Sequence, residues 1–582
     1  MNGVLTRVAG RLRDRYDVVA GISRLLALAC LVGLVGVLPW LSGKDPALTI
    51  LRATSSDREP TPEVLESIRR SIGIDGGPLH VIGHWLAGLA RGDLGRSWVS
   101  GAAVGPEAVD AFGVSLSLMA AALGVGVVIA AALVLPALRD GLRGRPRTRG
   151  GAVSAVLISL PEYLLAPILM LVLAVYLRIL PPFGWGSPEK VIMPALSLGL
   201  PTGGYLGGLV SDAVTATFSE RWVATWSTAG IRGRALAGAV LRRALAPLTG
   251  QVALVVVALT GGAVAVEKIF AIPGLGRELL DAATAQDVPA LQAQILLLLA
   301  LALTAGVIAG VTGRLLVGQA AGAGGLSAPP PVRHSGRASR IIAGVGAGLL
   351  AAMVAWGIGR DPYTVVADKL QDPSVALPLG SDSLGRDVLA RVAHGAVSTV
   401  TSAVVVTVVC FVIALLVGLA PRAATGFIEV ANAAPPVLAG LIVAGVLGPS
   451  ATGAAIAVAG VGWAPLASHA AGLVAENRQR PDVLLAPVLG EGRVRIALTR
   501  IVPAVVGPLA RHAALRLPGK ALALAGLGFL GLGAQSPTPE WGLVLSDALP
   551  YIERAPWAVA TPAAALVVLS VTAVAASRSA RR

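Results

Sequence analysis

Two histidines in the N-terminal region have the spacing of a pair of metal ligands. His80 and His84 are four residues apart, so a helix would carry both imidazoles on one face, where they could bind the same metal ion. No third ligand is apparent nearby in the sequence. A surface or packing role is the favoured interpretation, and His80 and His84 remain weak metal candidates.

A single lysine stands out inside an apolar run near the C-terminus. If the helix that carries Lys520 ends near Gly533, this lysine lies about 20 Å from that end at 1.5 Å per residue. In a hydrocarbon core of about 30 Å it could extend to the nearer interface as an anchor, which is the favoured interpretation. An intramembrane cation can also mark a substrate path, so Lys520 is kept as a candidate residue of such a path.

The sequence contains no Walker A loop. That loop needs Gly-Lys-Ser/Thr to cradle phosphates and hold magnesium, and the two Gly-Lys pairs continue differently, as Gly43-Lys44-Asp45 and Gly519-Lys520-Ala521. No HExxH or GxSxG motif and no recognisable catalytic pair of carboxylates is present either. The residues predict neither an ATP site nor an enzyme active site in this chain.

Composition indicates the class of protein. Of 582 residues, 55% are hydrophobic and only 14% are charged, and the mean hydropathy is +0.76. Soluble globular chains are about 25% charged, whereas the apolar runs here approach the length of about 20 residues that crosses a bilayer. Cys30 and Cys410 lie inside apolar runs, so no disulfide framework is expected. We expect an all-α polytopic membrane protein.

Apolar runs predict about twelve transmembrane helices. The basic start of the chain and the run that follows it resemble a signal peptide, but no small-residue cleavage site follows, so this run is taken as the first span. The predicted spans are 25–41, 112–138, 153–178, 191–214, 247–266, 291–313, 341–358, 397–420, 426–448, 452–473, 503–533 and 558–577.

Arginine clusters predict the orientation of these spans. With the N-terminus inside, every short basic loop lies on the cytoplasmic side, whereas acidic residues such as Asp281, Asp287 and Glu540 lie outside. This distribution explains the net charge of +15 without a nucleic-acid partner. Both termini are therefore expected in the cytoplasm.

The chain divides into two halves. Residues 318–340 are small, Pro-rich and unperiodic, which is typical of a flexible linker, here cytoplasmic. They separate residues 1–317, which include a large external loop at 42–111, from residues 341–582. Each half contains six predicted spans.

Short motifs recur between the halves. The triplet Gly274-Leu275-Gly276 returns as Gly531-Leu532-Gly533, and a loop centred on Gly230 has a counterpart around Gly490. Two six-span repeats of the same orientation indicate a transport pathway at the interface of the repeats.

These motifs resemble those of the dipeptide/oligopeptide/nickel class of ABC importer permeases, with two permease subunits fused in one chain. The first half is similar through LAGLARGDLGRS at 86–97, the Gly230 loop and EKIFAIPGLGR at 267–277. The second half is similar through LGSDSLGRDVL at 379–389, GFLGLG at 528–533 and PTPEWG at 537–542. The resemblance covers nearly the whole chain outside the linker. It implies two tandem six-helix type I ABC importer transmembrane domains.

The resemblance assigns the Gly230 and Gly490 loops to docking on ATPase subunits. In the family such a loop has a Glu-Ala-Ala stretch and then a Gly three residues on, and it forms a short helix–turn–helix whose turn a glycine permits. The basic residues that stand near the two glycines here are Arg232, Arg234, Arg493 and Arg495.

Both loops lack the Glu of that pattern. The corresponding residues are Thr225-Trp226-Ser227 and Leu484-Leu485-Ala486. Two explanations remain open. The favoured one is a set of ATPase partners that dock on apolar and basic groups; the other is a weakened coupling.

The resemblance implies the translocation subunit of an ATP-driven importer in the bacterial inner membrane. Peptides fit as the solute, and so do nickel or a metal–chelator complex. The implied partners are an extracytoplasmic solute-binding protein and two ABC ATPase subunits, or one fused ATPase, which would bind ATP and Mg; no cofactor is expected in this chain. The alternative is an ion-coupled secondary transporter with two six-helix repeats, whose membrane-embedded ionisable residues would be Glu162, Glu429 and Lys520.

Overall fold

The structure is a computed structural model that describes residues 22–38, 47–48, 50–51, 59–72, 77–145, 151–158, 160–317 and 337–579. Within these residues the chain is helical, and β-structure is limited to isolated bridges such as Val365–Arg386. Most of the predicted linker, residues 318–336, and the basic start of the chain lie outside the described residues. A helix begins at Arg337, within the segment predicted as linker.

The helices up to the linker are numbered from the first one described. They are α1 Ile22–Leu38, α2 Pro62–Ile72, α3 Pro78–Ala90, α4 Val104–Leu142, α5 Gly151–Ile158, α6 Glu162–Leu169, α7 Pro188–Phe218, α8 Arg221–Thr228, α9 Gly233–Leu245, α10 Thr249–Phe270, α11 Leu275–Ala285 and α12 Val288–Val317.

The numbering continues after the linker. These helices are α13 Arg337–Gly357, α14 Val388–Gly418, α15 Pro421–Ala433, α16 Pro436–Leu447, α17 Ala451–Gly462, α18 Ala464–Arg478, α19 Pro481–Leu485, α20 Arg493–Ile496, α21 Val502–Leu530, α22 Trp541–Ala548 and α23 Pro556–Ser579.

Eight helical stretches of the described residues are long and apolar enough to cross a membrane. The pair Ala424–Asn432 and Pro436–Leu447, bent by 94°, makes a ninth candidate, and Ile22–Leu38 and Glu162–Tyr176 are shorter apolar helices. All twelve predicted spans contain helix, so the all-α polytopic class is confirmed. Eight of the twelve predicted spans meet this criterion among the described residues, and the other four are short, bent or less apolar.

Proline explains why some predicted spans are interrupted. Proline lacks the backbone N–H and disfavours helical geometry in the residue before it. Pro161 lies between α5 and α6, and Pro435 lies between α15 and α16. The prediction of one continuous helix over 426–448 is therefore corrected to two helices.

Glycines of α7 allow a close approach to α4. A β-carbon on Gly199, Gly203 or Gly207 would come within 2.7 Å of side-chain atoms of α4. This spacing of small residues every fourth position is typical of tightly packed membrane helices. The same residues make α7 too polar to count among the eight apolar spans, although it has 31 residues.

Contacts divide the molecule into two units, each built from both halves of the sequence. The first unit contains the described residues of Met1–Gly105, Ala282–Ala293 and Val397–Ser536. Within it Arg24 of α1 makes a two-bonded ion pair with Glu429 of α15, at 2.7 and 2.9 Å. Glu429, one of the ionisable residues of the secondary-transporter alternative, therefore joins two helices.

The second unit contains the described residues of Pro106–Asp281, Gln294–Ala396 and Pro537–Arg582. Within it α13 packs along α23, where Ser339 donates a hydrogen bond to the carbonyl of Ala575 at 2.7 Å. The indole of Trp541, which is fully buried, donates to the carbonyl of Val392 at 2.8 Å. Trp541 is therefore a packing aromatic.

Candidate functional site

The Gly230 loop is a helix–turn–helix formed by α8 and α9. Helix α8 ends in a Schellman motif, in which the N–H of Ile231 donates to the carbonyl of Trp226 at 2.9 Å and that of Gly230 to Ser227 at 3.2 Å. Gly230 has φ 87°, the left-handed conformation that a side chain disfavours. The loop belongs to the second unit.

The Gly490 loop repeats the same turn in the first unit. The N–H of Glu491 donates to the carbonyl of Ala486 and that of Gly490 to Pro487, both at 3.1 Å, and Gly490 has φ 82°. The hydrogen-bonding pattern around Gly490 is therefore that around Gly230, position for position. The glycine turn that the sequence predicted is present in both loops.

Apolar side chains under each loop hold it to its own unit. In the Gly230 loop Val223 and Leu236 are buried in a cluster with Val214, Phe218 and Val240. In the Gly490 loop the corresponding side chains, Val483 and Ile496, are buried as well. Each loop is thus a folded element.

An ion pair closes each loop, and the sequence analysis missed both pairs. Arg243 lies 3.2 Å from the carboxylate of Glu220 in the Gly230 loop. In the Gly490 loop Arg500 Nε donates to Glu491 at 3.1 Å, and this contact holds the pKa of Glu491 below its ordinary value. The available signal in the Gly230 loop was an acid before the turn and an arginine after it, whereas Glu491 and Arg500 both follow Gly490.

The outward faces of the two loops differ. In the Gly490 loop the four large apolar side chains just before Gly490 are exposed, from 58% at Leu485 to 83% at Val488, and the other two are Leu484 and Leu489. We call these four residues the apolar face. The corresponding residues of the Gly230 loop are small or polar: Ala224, Thr225, Thr228 and Ala229. There Trp226 is the large apolar side chain at the surface, 39% exposed and in edge-on contact with Trp222.

The arginines predicted for these loops lie at the surface. All four side chains are exposed to solvent: Arg232, Arg234, Arg493 and Arg495. The predicted residues of each loop therefore come together on one exposed surface, basic in both loops and strongly apolar in one.

Replacing Gly490 by alanine is expected to weaken its turn by about 1 kcal/mol. The cost comes from the left-handed backbone, since a β-carbon on Gly490 would meet no atom within 4 Å. Amide hydrogen exchange at Gly490 and Glu491 should accelerate about fivefold. Gly492, with φ −69°, is the matched control. Faster exchange in Gly492→Ala than in Gly490→Ala would contradict the explanation.

Other predicted residues lie outside these loops. His80 and His84 are both exposed on α3, and no third His, Cys, Asp or Glu completes a metal site with them among the described residues. Asp382 pairs with Arg386 at 2.7 Å and Asp387 with Arg360 at 2.8 Å, so these two acids stabilise their own loop. Lys520 is buried in α21, with 6% of its surface exposed.

Acidic residues gather around Glu278 of α11. Burial of Glu278, reinforced by the carboxylates of Glu107, Asp281 and Asp110, raises its pKa from 4.5 to about 7. A hydrogen bond with the side chain of Gln294 opposes this shift. Glu278 therefore gains its proton on folding at mildly acidic pH.

Stability of this region is expected to fall as the pH rises from about 4.5 to 7. In that window the folded state binds the Glu278 proton more tightly than the unfolded chain, so the favourable contribution is complete below pH 4.5 and is lost above 7. Glu278→Gln should make this decline smaller and melt above wild type at pH 8. The measurement is the melting temperature of both proteins in detergent at pH 5 and pH 8. If the melting temperature of Glu278→Gln falls between pH 5 and pH 8 by as much as that of the wild type, the assignment to Glu278 is wrong.

Both repeated loops lie in segments that match a known family of membrane transport subunits. Residues 122–318 and 407–579, well over half of the chain, match the family described as binding-protein-dependent transport system inner membrane component. The chain belongs to this family and contains its domain twice. It is thus a multi-pass membrane protein and a permease component of a binding-protein-dependent ABC transport system, and the resemblance seen in the sequence is confirmed.

Characterised relatives are single permeases of similar systems. A di/tripeptide transport permease of Pseudomonas aeruginosa is 33% identical over 38% of this chain and 77% of its own length. A glutathione transport permease of Escherichia coli is 30% identical over 47% of this chain and 90% of its own length. An E. coli nickel transport permease is 31% identical over 38% of this chain and 83% of its own length. Each relative matches less than half of this chain, as expected when one chain holds two permeases.

Proposed function

We propose that this chain is the complete translocation unit of an ATP-driven importer for peptides or a related small solute. Both permeases of such a system are present in one polypeptide, so one chain supplies both membrane halves. A separate extracytoplasmic protein delivers the solute. Peptide is the leading solute class because di/tripeptide and other peptide permeases are among the similar relatives; nickel and metal–chelator complexes are the alternatives.

The repeated glycine turn carries this proposal. Two loops with the same Schellman motif, each containing an ion pair, present exposed side chains on both sides of the glycine turn. We assign one ATPase subunit, or one half of a fused ATPase, to each loop. Closure of the ATPases on binding ATP would then move each unit as a rigid body. ATP and Mg are bound by the ATPases.

The ATPases contact the apolar face and the arginines in place of the missing Glu. Leu485 and Leu489 expose apolar surface. Burial of this surface against a partner would stabilise the complex by about 25 cal/mol per Å². Arg493 and Arg495 add charge beside that surface. This arrangement favours partners adapted to these loops over the alternative of weakened coupling.

Orientation follows from the same assignment. ATP is cytoplasmic, so both loops and both termini lie inside, in agreement with the distribution of arginine. The acidic residues around Glu278 then lie outside, on the side that receives the solute-binding protein. The membrane is the bacterial inner membrane.

Native mass spectrometry of the tagged chain, gently purified from its own host, tests the proposal. We expect two ATPase subunits, or one fused ATPase, and a binding protein to travel with it. The ligand mass retained on the binding protein then identifies peptide, nickel or metal complex. A bare chain, under conditions that preserve a control ABC complex, would contradict the assignment of the loops. Vanadate-sensitive uptake gives an independent functional readout.

A further inference from the structure

Three basic side chains lie on one face of α21. His512, Arg516 and Lys520 follow at intervals of four residues, which places them one above the other along a helix. Helix α21 is continuous over 29 residues, so the three groups share one element. We call these three residues the basic face.

Contacts fix the orientation of the first two groups. The ring of His512 stacks on His469 of α18, with centroids 4.2 Å apart and planes 28° apart. Arg516 Nε donates a hydrogen bond to Nε2 of His512 at 3.1 Å. The basic face therefore continues onto α18 through His469.

Lys520 is enclosed by the helices of the first unit. A β-carbon on Gly462 of α17 would lie 3.3 Å from both Cε of Lys520 and Sγ of Cys410, so glycine leaves room for the two side chains. The charged and polar groups that act on Lys520 are Cys410 and Arg516. In the part of the chain that the structure describes, no carboxylate pairs with Lys520. A buried cation without a counter-ion is costly and therefore indicates a function.

The depth of Lys520 opposes an interfacial anchor. Helix α21 ends at Leu530, ten residues later, so Lys520 lies about 15 Å along the axis from that end. With Leu530 taken as the outer end of a core of about 30 Å, Lys520 lies near the middle of that core. An anchoring lysine would expose its end at the interface, whereas Lys520 is buried.

We propose that the basic face binds an anionic group of the transported solute, such as a carboxylate, within the translocation pathway. This inference rests on the proposed function. The solute supplies the negative charge that Lys520 lacks in the protein, and Arg516 adds directional donors.

The first repeat offers no such charge. Counted from the Gly-Leu-Gly triplets, the residues that correspond to the basic face are Val255, Leu259 and Ala263, all apolar and buried. The anionic end of the solute is therefore held by the second repeat alone.

A cysteine reporter tests the charge of this face without knowledge of the solute. Ala523 is partly exposed and lies on the same side of α21, three residues beyond Lys520. Ala523→Cys, with the exposed Cys30 replaced by serine, is placed in nanodiscs of phosphatidylcholine. The cysteine is reacted with the anionic sulfonatoethyl methanethiosulfonate and with the cationic trimethylammonioethyl methanethiosulfonate. Each rate is divided by the rate at which the same reagent reacts with free mercaptoethanol in solution.

The anionic reagent should react faster, and Lys520→Met should lower the anionic-to-cationic ratio about tenfold. Lys520→Arg should keep the ratio, which guards against a folding defect. Arg511→Gln removes a charge from another side of the same helix and should leave the ratio within about twofold. An unchanged ratio in Lys520→Met would overturn the proposal, and so would a failure of both reagents to react.

Two further arms separate the alternatives. If phosphatidylglycerol in the nanodisc abolishes the ratio, an acidic lipid headgroup is the occupant and the solute assignment is wrong. The reagent ratio needs no ATPase, so a chain that purifies without ATPases would contradict the proposed function independently of this result.

Discussion

Glu267→Ala is expected to destabilise the permease by about 3 kcal/mol or more. Glu267 is fully buried in α10, and Ser115 Oγ donates to its carboxylate at 2.6 Å. The backbone N–H groups of Gly276 and Arg277 donate to it as well, the latter at 3.0 Å. The carboxylate therefore holds the first turn of α11 against α10 and α4.

The expected cost comes from the donors left behind. Without the carboxylate, the Ser115 hydroxyl and the two N–H groups lose their acceptor in a buried site, at about 1–3 kcal/mol for each unsatisfied group. Gly276 and Gly274 show how closely the chain fits here, since a β-carbon on Gly274 would overlap the Glu267 carboxylate. The space that Glu267→Ala leaves can therefore be filled only if α11 moves.

The measurement is the melting temperature of the purified protein in detergent, together with its monodisperse fraction. Glu189, an exposed glutamate at the start of α7, is the matched control, and Glu189→Ala should change stability by less than about 0.5 kcal/mol. Glu267→Gln keeps the shape and one acceptor oxygen, so it should fall between the two. A Glu267→Ala protein as stable as wild type would show that the carboxylate is not the anchor of α11.

Local signals explain why the turns could be predicted from the sequence. Gly230 and Gly490 adopt a left-handed conformation that few other residues tolerate. A glycine at each of these positions was therefore enough to predict the turn. The matching of Gly274-Leu275-Gly276 with Gly531-Leu532-Gly533 likewise gave the repeat, and the family match confirms it.

Long-range pairing explains what could not be predicted. Arg24 and Glu429 come from different repeats, and Glu267 bonds Ser115 across 152 positions. No period in the sequence links such residues. The distance of Lys520 from the end of its helix was estimated with Gly533 as that end, whereas the helix ends at Leu530, about 15 Å from Lys520 along the axis.

Leu485→Asp combined with Leu489→Asp is expected to abolish docking of the ATPase on the Gly490 loop. The two side chains are 58% and 74% exposed, so the change adds charge at the surface and the fold should keep its stability within about 0.5 kcal/mol. At an interface, however, each carboxylate would be desolvated without a partner, at several kcal/mol. Uptake should fall at least tenfold.

The assay is co-purification of the ATPase with the tagged chain, alongside ATP-driven uptake of the solute identified on the binding protein. Val375 is fully exposed and far from the loop in sequence, so Val375→Asp is the control for added surface charge. A double variant that retains both the ATPase and uptake would contradict docking through the apolar face.

The difference between the two loops gives the sharpest comparison. Thr225 corresponds to Leu485, so Thr225→Asp puts the same carboxylate at the matched position of a loop whose neighbouring residues are small or polar. If the apolar face supplies most of the docking energy, Thr225→Asp should lower co-purification much less than Leu485→Asp, because it replaces no buried apolar contact. The reverse order would move the main contact to the Gly230 loop, where Trp226 is the exposed aromatic anchor.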